Sequence, residues 1–100
     1  MLRISIEDTA ESLEMKLEGR IAGPWAEELG RVWVKTAPRL ASRKLVLDLS
    51  SVTYADADGT ELLGKIYSQT RAEVLAETLW TRSLAEQITR FDAQTEIKEL

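Results

Sequence analysis

Leu2, Ile4 and Ile6 alternate with Arg3, Ser5 and Glu7, the period of two that marks a half-buried strand. Residues 8–11 read as a polar turn. Leu13, Met15 and Leu17 then alternate with Glu14, Lys16 and Glu18, a second strand close enough to make an antiparallel hairpin that Gly19 ends. Gly23-Pro24 opens a helix, because proline is tolerated at the first helical position, where its missing N–H would be unpaired anyway. Trp25, Leu29, Val32 and Trp33 form its apolar stripe, and Glu27 and Glu28 sit in the first turn, where the helix dipole favours anions. Pro38 is expected to end it, with residues 39–43 as a linker.

The run Leu45-Val46-Leu47-Asp48-Leu49 is short and mostly apolar, so it reads as a central strand covered on both faces. Residues 50–57 read as a polar loop in which Ser50 and Ser51 are turn residues. Asp58-Gly59-Thr60-Glu61 is similar to a capping box and predicts a helix start. Leu62, Leu63, Ile66 and Tyr67 are that helix's buried stripe, ending near Thr70. A weaker fourth strand follows over 72–76. Ser83 and Glu86 mark a third helix start, with Leu84, Ala85, Ile88 and Phe91 as its apolar face. Residues 92–100 read as a C-terminal tail, frayed or forming an edge strand. The order is β-β-α-β-α-β-α. Strands alternating with helices imply parallel pairs joined by right-handed crossovers, with an antiparallel hairpin in front.

Composition narrows the function. The chain has 100 residues, enough for one core and one domain. Hydrophobic residues are 44 % and charged residues 30 %, an ordinary globular mix. No apolar run reaches the ~20 residues of a spanning helix, and no signal-like stretch opens the sequence, so the expected location is the cytoplasm without direct membrane insertion. Thirteen Lys+Arg stand against 17 Asp+Glu, with a pI near 4.9, and no basic patch suggests nucleic acid. There is no cysteine and no histidine. Thiolate nucleophiles, Ser-His-Asp triads and Cys- or His-based zinc sites are therefore excluded. Asp56 and Asp58 lack the cleft that paired-carboxylate hydrolysis needs, and nothing supplies a full oxygen ligand set for Mg²⁺. No enzyme activity, cofactor or metal is expected.

Residues 45–63 resemble the signature of the STAS family, which includes the anti-sigma-factor antagonists and the cytosolic domains of sulfate transporters. That signature is an apolar strand, Asp-Leu-Ser, a few residues, then Asp-Ser-Ser-Gly or Asp-Ser-Thr-Gly opening a helix. Asp48-Leu49-Ser50, Asp56 and Gly59 match it, as do the apolar positions after Gly59. Residues 11–29 resemble the family's second strand and first helix, and the likeness extends over roughly residues 2–91. The resemblance implies an α/β fold: a mixed four- or five-stranded sheet with helices packed mainly on one face. It implies a protein–protein regulatory module in signalling and transcription regulation, whose partner is an anti-sigma factor of the serine-kinase type or a related switch kinase. The alternative is a STAS-type accessory subunit bound to the cytosolic side of a lipid-transporting ABC transporter. Small-ligand or nucleotide binding has a precedent in the family but no motif here.

Two departures bear on mechanism. The family's phosphorylated Ser or Thr stands just before the loop glycine, and here that position is Asp58, preceded by Ala57. Ala22 stands near the place where relatives often carry Asp. The expected partner-binding loop and helix start are Asp56, Ala57, Asp58, Gly59 and Thr60. Asp58 has two readings: the helix N-cap, or a fixed mimic of phosphoserine at a helix N-terminus. Asp56 is a partner-binding acid or a turn former. Thr60 is a first-turn residue or a surrogate phosphoacceptor. Gly59 allows a close approach or loosens the turn. Trp25 and Trp33 are expected in the core. Trp80 is expected in a loop, as a contact residue or partly buried under a helix end.

Overall fold

The computed structural model describes the backbone of residues 1–99 and the side chains of residues 1–90. The elements are β1 (Leu2–Asp8), β2 (Ser12–Ile21), α1 (Pro24–Leu40), β3 (Lys44–Ala55), α2 (Ala57–Thr70), β4 (Glu73–Leu75) and α3 (Leu79–Glu99), in the order that the periodicities predict. The strands form a mixed sheet ordered β1-β2-β3-β4. β1 and β2 are antiparallel, whereas β2–β3 and β3–β4 are parallel, as crossovers through α1 and α2 require. The chain is thus α/β, with a four-stranded mixed sheet.

Alternation makes the sheet one-sided. Leu13, Met15 and Leu17 of β2 and Leu45, Leu47 and Leu49 of β3 all point to one face and are fully buried. Leu29 and Trp33 of α1, Leu63 and Ile66 of α2, and Leu84 and Ile88 of α3 complete that core. The Trp33 indole N–H donates to the Gln69 side-chain oxygen at 3.3 Å, which joins α1 to α2. Ser12, Glu14, Lys16 and Glu18 of β2 and Lys44, Val46, Asp48 and Ser50 of β3 face the other way and keep contact with solvent. β3 is therefore covered on one face, not two. Its apolar run alternates once Asp48 is assigned outward, with Val46 as the apolar exception.

Several boundaries differ from the sequence reading. Residues 50–55 are strand, because β3 continues to Ala55 through two register shifts against β2, after Lys16 and after Gly19. Those bulges insert extra residues into β3 and break its period of two, so the segment looked like a loop. Ser50 and Ser51 are accordingly strand residues. Pro38 lies within the last turn of α1, which ends at Leu40. α3 begins at Leu79, four residues before Ser83. There the Thr81 N–H donates to the Thr78 hydroxyl at 3.0 Å and the Thr78 N–H to the Thr81 hydroxyl at 2.9 Å, a reciprocal cap. Trp80 is therefore a first-turn helical residue, half exposed. The expected tail over 92–100 lies where no side chain is described; the backbone carries α3 to Glu99.

One ion-pair cluster ties the hairpin to the far end of α1. The Arg43 guanidinium meets Asp8 at 2.5 Å and the Thr9 carbonyl at 2.9 Å, and Arg39 pairs with the other Asp8 oxygen. The Arg43 hydrogen bond, with help from Arg39, holds the Asp8 carboxyl below its usual range. A lowered carboxyl favours the folded state above its unfolded value, near pH 4, and that contribution fades as pH falls through the folded value. In urea titrations across pH, Asp8→Asn is expected to be less stable than the parent at pH 7. The gap should close as pH drops below about 4. An equal gap at pH 7 and pH 2.5 would mean that the carboxylate charge is not what matters.

Candidate functional site

The crossovers after β2 and β3 leave the same end of the sheet, and one carboxylate joins them. Asp56 continues the extended backbone of β3, with φ −81° and ψ −176°, so its side chain reaches forward to the first turn of α2. One oxygen accepts the Gly59 N–H at 2.7 Å and the other accepts the Gly23 N–H, at the entry to α1, at 3.0 Å. The Asp56 N–H donates to the Ile21 carbonyl at 3.1 Å, and its own carbonyl accepts the Thr60 N–H at 2.9 Å. The Gly59 and then the Gly23 hydrogen bond hold the Asp56 carboxyl below its ordinary range. The N-cap of α2 is therefore Asp56, and Asp58 is not the cap. Of the two readings for Asp56, the structure supports the one in which it bonds backbone.

Gly59 is required by packing. It is buried, and a Cβ there would stand 2.4 Å from the Ile21 carbonyl oxygen and 2.9 Å from that residue's Cγ2. That carbonyl already accepts the Asp56 N–H, so it has no room to retreat. The first turn of α2 lies directly on the end of β2, and this close approach, not a loosened turn, explains the glycine.

Ala57 and Asp58, freed from capping, stand exposed in the first turn of α2, and Thr60 is half-buried. The structure thus places Asp56, Ala57, Asp58, Gly59 and Thr60 in one turn, with Asp56 and Gly59 inside the joint and Ala57 and Asp58 at its surface. Two aromatic residues that sequence reasoning did not assign to the site lie beside it. Tyr54 ends β3 two residues before Asp56, is 41 % exposed, and carries the Arg20 guanidinium 4.7 Å from its ring centroid. Trp25 follows Gly23 by two residues and is 40 % exposed, so it is not the core residue expected. The buried stripe of α1 runs through Ala26, Leu29, Trp33 and Thr36, one position round from Trp25. Ala26 is a weak apolar signal, and the larger Trp25 drew the stripe toward itself.

No protein-family model and no curated protein matches this chain. Among solved structures, an uncharacterized protein of the DUF3478 family with a SpoIIAA-like fold, from Shewanella loihica PV-4, superposes with a TM-score of 0.56. The two share 10 % identity over 80 % of this chain and 70 % of that one. The fold is SpoIIAA-like. A structure described as Mglu superposes with a TM-score of 0.59 at 21 % identity; the match takes in 74 % of this chain and 19 % of that one. This chain therefore spans about a fifth of Mglu, and at these identities the likeness is one of fold. The SpoIIAA-like fold agrees with the STAS-like architecture that residues 45–63 imply. No described helix is long and apolar enough to cross a membrane.

Two substitutions separate the joint's parts. Ala at position 59 would gain up to about 1 kcal/mol of helix propensity. The contact with a backbone carbonyl outweighs it, so Gly59→Ala is expected to destabilise by roughly 1–3 kcal/mol in denaturant titrations. A neutral or stabilising result would refute the close approach. Asp56→Ala removes the cap and the bridge, and its melting temperature should fall by roughly 4–8 °C. Asp56→Asn keeps one acceptor oxygen for two N–H donors, so its melting temperature should lie between those of Asp56→Ala and the parent. If Asp56→Asn melts with the parent, the second hydrogen bond contributes nothing.

Proposed function

We propose that this chain is a non-catalytic protein–protein regulatory module of the STAS kind, similar to the anti-sigma-factor antagonists. It engages its partner through residues 51–58 and the first turn of α2. The supporting observation is the division of labour between the two aspartates. Asp56 is consumed in bracing the crossovers, whereas Asp58 is exposed in the first turn, at the place where the family's phosphorylated residue stands. Its charge is exposed; the half-exposed Tyr54 precedes it by four residues, and the half-exposed Trp25 follows Gly23, which Asp56 holds, by two. Exposed aromatic side chains of this kind supply contact area, and a fixed charge sets which partner is tolerated.

In this reading Asp58 acts as a permanent, weaker version of a phosphoserine. It carries one negative charge where phosphoserine brings about −1.5 to −2. The loop then resembles the partner-releasing state of a kinase-controlled antagonist, and Asp58 sets the strength of binding. The same lack of a phosphoacceptor suits an accessory subunit of a lipid-transporting ABC system, which needs no phosphorylation switch.

The test is affinity capture of the tagged chain from its own cells after mild detergent lysis, followed by binding measurements on what is recovered. A soluble ATP-binding anti-sigma factor supports the first reading; a transporter ATPase with its permease supports the second. Because Asp58 is not the cap, Asp58→Ala and Asp58→Ser should melt within a few degrees of the parent, which separates binding from folding. If Asp58 repels the partner, both variants tighten binding by roughly tenfold or more, the scale of one like-charge clash removed. Asp58→Ser should also become a kinase substrate. Equal affinity for the parent and both variants would remove Asp58 from the interface.

A further inference from the structure

The outer edge of β1 is long and unpaired among the described residues. β1 ends the strand order, so among the described residues no strand pairs with its far side. It runs for seven residues, Leu2–Asp8, in unbroken register with β2, without proline or a bulge, and its exposed charges, Arg3 and Glu7, are of opposite sign. Edge strands in monomeric proteins are ordinarily blunted by proline, bulges, short length or charge, because free N–H and C=O groups template pairing with another chain; charges of opposite sign repel a second copy less than charges of one sign. β4, at the opposite edge, is blunted by its length of three residues.

The free groups can be assigned. The Arg20 N–H donates to the Met1 carbonyl at 2.9 Å, and the Thr9 N–H to the Ser12 carbonyl at 2.9 Å, one at each end of the hairpin ladder. Hydrogen-bonded and non-hydrogen-bonded pairs alternate along an antiparallel ladder. The odd positions of β1 therefore bond to β2, and the backbone groups of Leu2, Ile4, Ile6 and Asp8 point outward. The side chains divide the same way. Leu2, Ile4 and Ile6 are half-buried on the helix face, while Arg3, Ser5 and Glu7 are exposed on the open face.

We propose that a second copy of this chain pairs with β1 across a two-fold axis at Ser5, making one continuous eight-stranded sheet. Only registers that pair even positions with even positions satisfy both the free backbone groups and the faces. Of these, the register centred on Ser5 sets Arg3 against Glu7 of the second copy, twice by symmetry. It also sets Ile4 against Ile6, which covers their exposed halves. Shifting the axis to Ile4 or Ile6 loses both ion pairs. Within the chain Glu7 stands opposite Glu14, an unfavourable like-charge pair, and the incoming Arg3 relieves it from the other side. Leu2 meets Asp8, whose carboxylate is already paired with Arg39 and Arg43. The geometry directs the two Asp58 surfaces to opposite ends of the joint sheet. Dimer formation therefore leaves both free and does not depend on the function proposed for them.

The test is sedimentation equilibrium of the full chain over a concentration series, with circular dichroism to confirm that each variant is folded. The parent should show twice the 11.3 kDa chain mass. Arg3→Glu and Glu7→Arg should each raise the dimer dissociation constant about tenfold or more, since each turns two attractions into two repulsions. The double reversal should restore it to within a few-fold. The natural chain has no cysteine, so Ser5→Cys introduces a single thiol. Across a non-hydrogen-bonded pair, the ~4.5 Å Cα separation permits a disulfide, and mild oxidation should cross-link Ser5→Cys but not Ile4→Cys or Ile6→Cys. A monomer mass at every concentration would overturn the proposal. So would a dimer indifferent to both reversals, or cross-linking through position 4 or 6 instead of 5.

Discussion

The Asp56 carboxylate is the constraint on which the joint at the carboxyl ends of β2 and β3 depends. Two crossovers leave neighbouring parallel strands, and each brings backbone N–H groups that its helix cannot satisfy. A single side chain accepts one from each, Gly23 at the entry to α1 and Gly59 in the first turn of α2. The two helix starts are thereby held against each other and against the end of β2. Gly59 is the steric counterpart of that bond, since no larger residue lets α2 approach the Ile21 carbonyl so closely. Ala57 and Asp58 project from a brace of hydrogen bonds, so a partner would meet a preorganised turn.

The remainder of the molecule keeps that end in place with ordinary means. Leucines and Met15 alternate along β2 and β3 and give one fully buried face, on which the helices pack. The opposite face carries charges and needs no cover, as antiparallel and mixed sheets permit. Arg39 and Arg43 close on Asp8 and fix the hairpin to the far end of α1. The sheet therefore has two distinct boundaries: a helix-covered face ending at the Asp56 joint, and an open strand edge at β1 with its own charge pattern.

Much of this is legible in the sequence, and the differences at the candidate site share a cause. Element order and type followed from periodicity because each buried face repeats at its own period, two for β1 and β2 and near 3.6 for the helices. Leu29 and Trp33 were read correctly, and so were Leu63 and Ile66. Trp25 and the start of α3 differ for local reasons, a weak Ala26 signal and a Thr78–Thr81 cap, whereas β3 and Asp58 differ because their roles are set by something distant along the chain. Residues 50–55 looked like a loop because bulges against β2 break their alternation. Asp58 looked like a cap because Asp56 and Asp58 both precede Gly59 at plausible distances. Which of them caps α2 depends on how far β3 extends, and pairing with β2 decides that.

The sequence by itself determined an α/β fold with a mixed sheet, the absence of thiol and imidazole chemistry, and the glycine and acidic residues of one turn. Those properties are local, set by side-chain type and spacing. Only the tertiary structure decided that Asp56 braces two crossovers, which frees Asp58 from capping, and that Gly59 lies on the Ile21 carbonyl. Each of these depends on contact between segments some 30 or more residues apart, Ile21–Trp25 against Tyr54–Gly59. Periodicity carries no information about such contacts, because it records which face of an element is buried and not what lies against it.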